Sequence, residues 1–290
     1  MWLAGYTGRP RTIRQARVHV AQIKAEFGSM RLAAVRPSHV KSWTARLKAG
    51  GSAASYVYAL HSRLARIMAD AVHDGILAKS PCSRRTSPGM GEQRPYVATT
   101  DQVWALYDAM PERQRAAILL GAFAGLRTAE ACGLRAAADV DYMRGIVKPE
   151  LQYPDEPLKT EESRKPIPVP RSLAAHLKQF PGDWLLTNDD GAQFGPWQLE
   201  RAFRAARAKV GGLPEGFRYH DLRHFFASLL IASGADIKTV QARMRHKSAT
   251  TTLNTYGHLW PDKDESTRAA VDAVVSVRFG LGQDQASAGD

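Results

Sequence analysis

Residues 218 to 256 restrict the possible folds of this chain more than any other stretch, because an apolar run there is flanked by polar groups at fixed offsets. His220 and Arg223 are three positions apart, so on a helix they share a face and can reach one ligand atom. Tyr256 follows His246 by ten residues. A phenol with a reference pKa of about 10 is a poor nucleophile alone, so this spacing makes chemical sense only if cationic groups surround the tyrosine. The four groups together predict an anionic ligand, and a phosphate would use all of them.

Each of these pairs also has an ordinary explanation. A His-x-x-Arg sequence is common by chance, and a histidine beside an apolar run such as residues 225 to 231 is usually a core or surface residue. The spacing of all four groups, together with two further motifs upstream, favours a functional site.

Positive charge is concentrated at the start of the chain. Residues 1 to 90 hold 15 Lys and Arg against three acidic residues, whereas the rest of the chain carries 25 of each sign. A basic folded module beside a neutral one predicts nucleic-acid binding, because Lys and Arg contacts to a polyphosphate release counterions. A merely solubilising surface is the alternative.

The composition is that of an ordinary globular chain. Its 290 residues, 44% hydrophobic and 23% charged, suffice for two domains with a real core. The N-terminus lacks the apolar segment of a signal peptide and no run approaches eighteen apolar residues, so we expect a cytoplasmic protein without a membrane segment. Cys82 and Cys132 are the only cysteines, so neither a disulfide framework nor a cysteine-based metal site is encoded.

Three segments in the first eighty positions have apolar residues at helical spacing. The first runs from Thr12 to Phe27, the second follows Pro37, and the third follows Gly51 and ends before Gly75. We therefore expect an all-α domain over residues 1–79 and a linker rich in Pro, Gly and Ser over residues 80–96. The cations expected to contact DNA in the first domain are Arg14, Arg17, Lys41, Arg46, Lys48, Arg63 and Arg66.

A second domain is expected over residues 97–261. It opens with a capping cluster at Thr99 and continues into a strongly apolar helix over residues 116–124, which must be buried. Arg127 follows between two apolar stretches and cannot stay unpaired without a large cost, so it needs Glu130, a phosphate, or both. A purely structural pair of Arg127 with Glu130 is the alternative.

Residues 139 to 170 predict short strands, because β-branched and aromatic residues alternate there with turns and prolines. Lys159 lies in this region. A lysine there is usually a solvated residue of an edge strand, where its charge prevents pairing with another chain. Lys165 and Lys148 are alternative candidates for any role given to Lys159.

Two further helices are predicted. The helix between Pro196 and Val210 carries a basic stripe that includes Arg201 and Arg204, which we expect to face solvent or phosphates. A last helix over residues 264–279 lies in a C-terminal region, residues 262–290, whose polar end from Leu281 is expected to be disordered.

These motifs resemble those of the tyrosine recombinase, or phage integrase, family. GLRTAE at residues 125–130 matches its first arginine motif, KTEES at residues 159–163 its hairpin lysine motif, and HDLR at residues 220–223, Arg245-His246 and Tyr256 its core pattern. One departure is that Arg245 stands where the family usually has Gly. If that position has a positive φ, a side chain there costs roughly 1 kcal/mol or more.

The resemblance implies a mainly α fold, with an all-α N-terminal core-binding (SAM-like) domain and a mostly helical catalytic domain that carries a small antiparallel β-sheet. It implies a site-specific recombinase that cleaves and rejoins DNA through a 3′-phosphotyrosyl intermediate, in phage or mobile-element integration and excision. The alternatives are a chromosome-dimer-type resolvase, a type IB topoisomerase-like enzyme, and a non-catalytic DNA-binding relative.

The resemblance also implies roles and partners. Tyr256 would attack the phosphate, and Arg127 and Arg223 would neutralise its oxygens. Lys159 would protonate the leaving 5′-hydroxyl, while His220 would take the tyrosine proton, His246 would donate to a phosphate oxygen, and Glu130 would support the site. No cofactor and no metal is expected. The expected partners are double-stranded DNA, further copies of the chain in a homo-tetramer on DNA, and an accessory DNA-bending or directionality protein. Related recombinases hand their C-terminal segment to a neighbouring subunit, so the last helix is expected to dock in trans, with docking in cis as the alternative.

Overall fold

The computed structural model describes residues 2–8, 10–91, 95–180, 182–260 and 264–279. The chain divides into two compact units, Met1–Gln93 and Arg94–Asp290. Among the described residues no helix is long and apolar enough to cross a lipid bilayer.

The first unit is built from three α-helices. They are α1 (Pro10–Phe27), α2 (Pro37–Ala49) and α3 (Ala54–His73), and a 3-10 turn (Leu32–Ala34) lies between α1 and α2. Their apolar faces meet in one core, where the rings of Phe27 and Trp43 pack edge to face with centroids 5.2 Å apart. Gly28 follows the last residue of α1, and this position requires glycine because a Cβ there would lie 2.4 Å from the carbonyl oxygen of Lys24. All three helices agree with those predicted from apolar spacing.

The described part of the predicted linker packs on the first unit. Thr86 is buried, and its Oγ1 lies 3.0 Å from Nε2 of His61. Nζ of Lys48 donates a 2.6 Å hydrogen bond to the carbonyl oxygen of Pro88. Residues 80 to 91 are therefore held by side-chain contacts, which composition alone does not reveal.

The second unit is mainly helical. Its helices are α4 (Thr100–Ala109), α5 (Arg115–Ala124), α6 (Thr128–Cys132), α7 (Ala136–Asp139), α8 (Glu161–Arg164), α9 (Arg171–Leu177), α10 (Pro196–Arg207), α11 (Leu222–Ala232), α12 (Ile237–Arg243), α13 (Ala249–Tyr256) and α14 (Asp264–Phe279). The apolar α5 is buried, as predicted, and packs against α11. A Cβ at Gly121 would lie 3.0 Å from Leu222, so glycine permits the close approach of these two helices.

Five two-residue strands complete the second unit. They are β1 (Val140–Asp141), β2 (Ile146–Val147), β3 (Leu151–Gln152), β4 (Glu156–Pro157) and β5 (Ile167–Pro168). One antiparallel sheet has the order β1-β2-β5, and β3 and β4 form a separate hairpin. The prediction of short strands is confirmed. The pairing of Val147 with Ile167 joins β2 to β5 across the hairpin.

The last helix has the predicted bounds, and part of its apolar face is open to solvent. Val271 is 59% exposed and Val274 is 73% exposed. The predicted disordered end, residues 281–290, lies outside the described residues.

Candidate active site

Arg127 and Glu130 form the first part of the site, at the N-terminus of α6. Arg127 is the N-cap residue, and its backbone N–H donates to Glu130 Oε2 over 3.0 Å. Its Nη1 donates to Glu130 Oε1 over 2.8 Å, while 37% of the Arg127 side chain remains exposed. The predicted ion pair is thus present, and much of the guanidinium still faces solvent.

A second guanidinium reaches the same carboxylate. Arg245, with a side chain that is 0% exposed, donates to Glu130 Oε2 over 2.6 Å. Burial alone would raise the pKa of Glu130, but the charges of Arg245 and Arg127 and the hydrogen bonds from Arg127 lower it overall. Glu130 is therefore held as a carboxylate between two cations.

Arg245 has a left-handed backbone, with φ of +50°. The family resemblance predicts this, since glycine usually occupies the position. Nη1 of Arg245 also donates to the carbonyl oxygen of Ser163 over 2.7 Å. One side chain thus connects the loop after α12 to both the arginine motif and the segment that carries Lys159.

Arg223 is the most enclosed cation of the predicted set. It lies at the start of α11, is 2% exposed, and donates to the backbone carbonyl oxygens of Gly125 and Met244. Burial, together with the charges of Arg127 and Arg245, lowers the pKa of Arg223 to about 9, so it stays protonated at neutral pH. The guanidinium is planar and its N–H groups point in fixed directions, so the two hydrogen bonds to carbonyl oxygens set its orientation.

Tyr256 ends α13 and is 2% exposed. Its ring stacks on that of His246 with centroids 6.4 Å apart and an interplanar angle of 6°. Nδ1 of His246 lies 2.9 Å from Oγ1 of Thr252, which is on α13 together with Tyr256. Burial raises the pKa of Tyr256 to about 12, although the charge of Arg223 opposes the shift.

The hydroxyl group of Tyr256 contacts a histidine that sequence reasoning did not single out. Nδ1 of His224, on α11, lies 2.7 Å from Tyr256 Oη. His220 is exposed, and its ring meets that of His224 edge to face with centroids 5.6 Å apart. Helical spacing could have revealed His224, because it lies four residues after His220 on the same face.

Lys159 lies two residues beyond β4 and just before α8. Its side chain is exposed, and among the described residues no hydrogen bond or ion pair holds it. The loop itself is anchored, because Thr160 caps α8 by accepting from the backbone N–H of Ser163 over 3.2 Å. Lys159 is therefore a free cation on a fixed loop.

The alternative lysines differ in their surroundings. Lys148 forms an ion pair with Glu150 at 2.7 Å, so its charge already has a partner. Lys165 is exposed and lines a cavity of about 230 Å³ together with Lys238, Arg245 and His246. Lys165 thus lines the same cavity as His246.

The predicted DNA-contacting cations fall into two groups. Arg14, Arg17, Lys41 and Arg204 are exposed. The others make contacts within the protein: Arg46 pairs with Glu26, Lys48 bonds to Pro88, Arg63 and Arg66 lie over the ring of Tyr6, and Arg201 lies over the ring of Trp197. In the described part of the chain, no group of three or more His, Cys, Asp or Glu side chains is arranged to hold a metal ion.

The sequence is similar to those of known integrases and recombinases. The sequence model of the phage integrase family matches residues 97–262. A putative prophage phiRv2 integrase of Mycobacterium tuberculosis is 28% identical over 273 residues, which cover 87% of this chain and 70% of that protein. Tyrosine recombinase XerD of Corynebacterium glutamicum is 27% identical over 250 residues, which cover 79% of this chain and 80% of that protein.

Solved structures share the fold. The Tn1549 transposon integrase in complex with transposon right-end DNA matches with a TM-score of 0.78 at 20% identity, over 94% of this chain and 96% of that chain. A lambda integrase tetramer bound to a Holliday junction matches with a TM-score of 0.69 at 19% identity, over 90% of this chain and 75% of that chain.

The family match covers more than half of the sequence, so the chain belongs to the phage integrase family. It is a tyrosine recombinase, an enzyme that breaks and rejoins DNA at specific sites. The predicted family, activity and mainly α fold are thereby confirmed.

Proposed function

We propose that Tyr256 is the nucleophile of this recombinase and that it forms a 3′-phosphotyrosyl bond with DNA. The observation that carries the proposal is its surroundings: the tyrosine lies against His224 and His246, and the charge of Arg223 acts on its hydroxyl. Tyr256 Oη bonds to phosphorus, the bond from phosphorus to the 5′-oxygen breaks, and the tyrosine loses its proton. Because a phosphodiester replaces a phosphodiester, rejoining by another 5′-hydroxyl needs no ATP.

Arg127 and Arg223 are the groups proposed to stabilise the transition state. Negative charge grows there on the non-bridging oxygens, and fixed guanidinium forks are most effective where charge develops. Arg223 uses one N–H of each terminal nitrogen on a backbone carbonyl, which leaves further donors free. Arg127 keeps an exposed guanidinium while Glu130 orients it.

His220, His246 and Lys159 are proposed to handle the phosphate oxygens and the leaving group. Burial, followed by the charges of Arg223 and Arg127, lowers the pKa of His246 to about 4, so its ring is neutral at pH 7. We propose that Thr252 Oγ1 donates to Nδ1, which lies 2.9 Å away, so that the neutral ring carries its proton on Nε2 and donates it to a phosphate oxygen. His220 is exposed and is proposed to make a similar contact, and the exposed Lys159 is proposed to protonate the 5′-oxygen.

One cleavage assay tests both the nucleophile and the acid. A DNA substrate nicked beside the cleavage site traps the covalent adduct, which is counted on a denaturing gel. Tyr256→Phe should abolish the adduct and leave DNA binding intact, whereas the control Tyr142→Phe should retain it. Lys159→Ala should be slow on normal DNA and largely restored by a 5′-bridging phosphorothiolate, whose thiolate leaves without protonation. An adduct in Tyr256→Phe contradicts the nucleophile assignment, and equal defects of Lys159→Ala on both substrates move the acid role to Lys165.

We infer further that the DNA sites are those of a phage or other mobile element. Support comes from the prophage integrase that matches most of this chain. A two-plasmid assay that carries the sequences flanking the gene measures this directly. Recombination at such sequences supports integration and excision, whereas activity confined to a chromosomal dimer-resolution site supports the XerD-like alternative.

Four copies of the chain are proposed to assemble on DNA, with α14 docked on a neighbouring subunit. The exposed valines of α14 support this, because burying an apolar stripe is worth several kcal/mol at roughly 25 cal/mol per Å². The lambda integrase tetramer on a Holliday junction shares the fold.

A further inference from the structure

The nucleophile needs a proton acceptor. Burial raises the pKa of Tyr256 to about 12, so at neutral pH the phenol is protonated. The proton must leave when Oη bonds to phosphorus, and a neutral phenol is a weak nucleophile without an adjacent base. A general base must lie within hydrogen-bond reach of the proton that it removes.

His224 is the residue within that reach. Its Nδ1 is 2.7 Å from Tyr256 Oη, and its side chain is 15% exposed. On the other side of the ring, Nε2 lies 3.8 Å from Oδ1 of Asp221. The other oxygen of Asp221 accepts a 2.7 Å hydrogen bond from the backbone N–H of Arg218, which fixes the carboxylate. The imidazole of His224 thus has the Asp221 carboxylate near one ring nitrogen and the Tyr256 hydroxyl near the other.

The protonation state of His224 suits an acceptor. Burial, followed by the charges of His220 and Arg223, lowers its pKa to about 4, so the ring is neutral above about pH 5. The titratable and charged groups that face it are Asp221, His220, Arg223, His246 and Tyr256. A proton on Nε2, toward the carboxylate, leaves Nδ1 free to accept from the tyrosine.

We propose that His224 is the general base of the cleavage step and that Asp221 orients it, an inference that rests on Tyr256 being the nucleophile. As Tyr256 Oη bonds to phosphorus, its proton passes to Nδ1, and the bond from phosphorus to the 5′-oxygen breaks. The imidazolium that forms is stabilised by the Asp221 carboxylate. In the rejoining step a 5′-hydroxyl bonds to phosphorus and gives its proton to Lys159. The phosphotyrosyl bond breaks, and Nδ1 returns its proton to the phenolate.

His220 is less suited to this task. It is exposed, and among the described residues no hydrogen bond joins it to Tyr256. Its ring contacts that of His224 instead, and the nitrogen that lies 2.7 Å from the hydroxyl is Nδ1 of His224.

The test is single-turnover cleavage by His224→Asn on the nicked substrate across pH 6 to 9. Asparagine can accept the hydrogen bond from Tyr256 but cannot take its proton. We expect cleavage to slow by about 100-fold or more at pH 7. The rate ratio of variant to parent should rise toward alkaline pH, as hydroxide replaces the base. Replacing Tyr256 by a fluorinated, more acidic tyrosine should shrink the defect of His224→Asn.

His176→Asn is the matched control. His176 Nε2 lies 2.7 Å from Tyr107 Oη, so the variant removes a contact of equal length outside the site. Its cleavage rate should match the parent's at every pH.

Binding to intact DNA and the melting temperature should be unchanged in His224→Asn, and if that variant melts lower, His224→Gln takes its place.

Each result decides the matter. Cleavage by His224→Asn within a few-fold of the parent, or faster, overturns the proposal. So does a slow variant with an unchanged pH profile, or one whose defect persists with the fluorinated tyrosine, because His224 would then act only on structure. If His220→Asn alone shows the pH-dependent, fluorotyrosine-sensitive defect, the base is His220. An adduct formed by Tyr256→Phe in the same assay would instead reject the proposed nucleophile.

Discussion

Arg245 combines an unfavourable backbone conformation with a favourable buried contact. A left-handed conformation costs a residue with a Cβ roughly 1–2 kcal/mol. Breaking a buried ion pair costs about 3–5 kcal/mol, because it leaves an uncompensated charge. The side chains of Arg245 and Glu130 are 0% and 4% exposed, so solvent screens this pair little. The ion pair outweighs the strain, which explains how arginine is tolerated where the family usually has glycine.

Arg245→Gly should therefore destabilise the protein, although it relieves the backbone. Glu130 keeps Arg127 as a partner, so we expect a net loss of about 2 kcal/mol in the free energy of unfolding, measured with urea at pH 7. The depressed pKa of Glu130 sets the pH window. The difference between parent and variant should be fully present above the unfolded-state pKa of about 4.3 and decline as pH falls through the lower folded-state pKa.

Asp155→Gly is the matched control for this substitution. Asp155 also has a positive φ, of 97°, but it is exposed in the turn between β3 and β4. Glycine there relieves the backbone without removing a buried pair, so stability should stay equal or rise slightly. An Arg245→Gly variant as stable as Asp155→Gly would contradict the assigned strength of the ion pair.

At the scale of elements, α14 has apolar side chains that are exposed to solvent. Val271, Val274 and Val275 are 59%, 73% and 39% exposed. Ala270 and Val277 are also apolar, and their side chains lie outside the described set. A helix of this kind gains most of its stability by packing that face on another surface.

A chain that ends at Pro261 tests where α14 docks. Docking on a neighbouring subunit predicts normal binding of one DNA site and an unchanged melting temperature, with synapsis of two sites lost in a gel-shift assay. A chain that ends at Phe279 removes only the terminal residues and should behave as the full chain. A lower melting temperature of the shorter chain would favour a cap on its own unit, and recombination at the normal rate would reject docking in trans.

At the scale of the whole molecule, the excess positive charge belongs to the first ninety residues, which hold 15 cations and three anions. Several of these cations are engaged: Arg46 pairs with Glu26, and Arg63 lies over Tyr6. Arg14, Arg17 and Lys41 are exposed and are the clearest candidates for phosphate contacts.

Replacing Arg14, Arg17 and Lys41 together by Gln should weaken the salt dependence of DNA binding. Each lost phosphate contact should reduce the slope of log K against log salt by about 0.9 on duplex DNA, because fewer counterions are released. Fluorescence anisotropy over a salt series measures the slope. The same exchange at Arg113, Lys178 and Lys209, three exposed cations of the second unit, removes equal charge and should leave the slope nearly unchanged. If both triple variants have the same slope of log K against log salt, the positive charge of the first unit serves only to keep the protein soluble.

Local patterns were sufficient for the helices and for much of the candidate site. Apolar spacing predicted α1, α2 and α3, because a helix repeats every 3.6 residues and its signals lie within a few turns. The apolar stretch over residues 116–124 predicted the buried α5. The spacing of His220, Arg223, His246 and Tyr256 indicated a phosphate site, although their catalytic roles stay predictions.

The sequence by itself thus determined the helices, the charge asymmetry and the recombinase motifs, since each depends on residues near one another in the chain. Only the tertiary structure decided the contacts between distant residues. Arg245 and Glu130 are 115 positions apart, and His224 and Tyr256 are 32 apart. The pairing of β2 with β5 likewise spans the hairpin between them. Such contacts depend on how helices and strands pack in three dimensions, and no short-range pattern encodes that packing. For this reason the contact between His224 and the tyrosine hydroxyl became visible only in the folded chain.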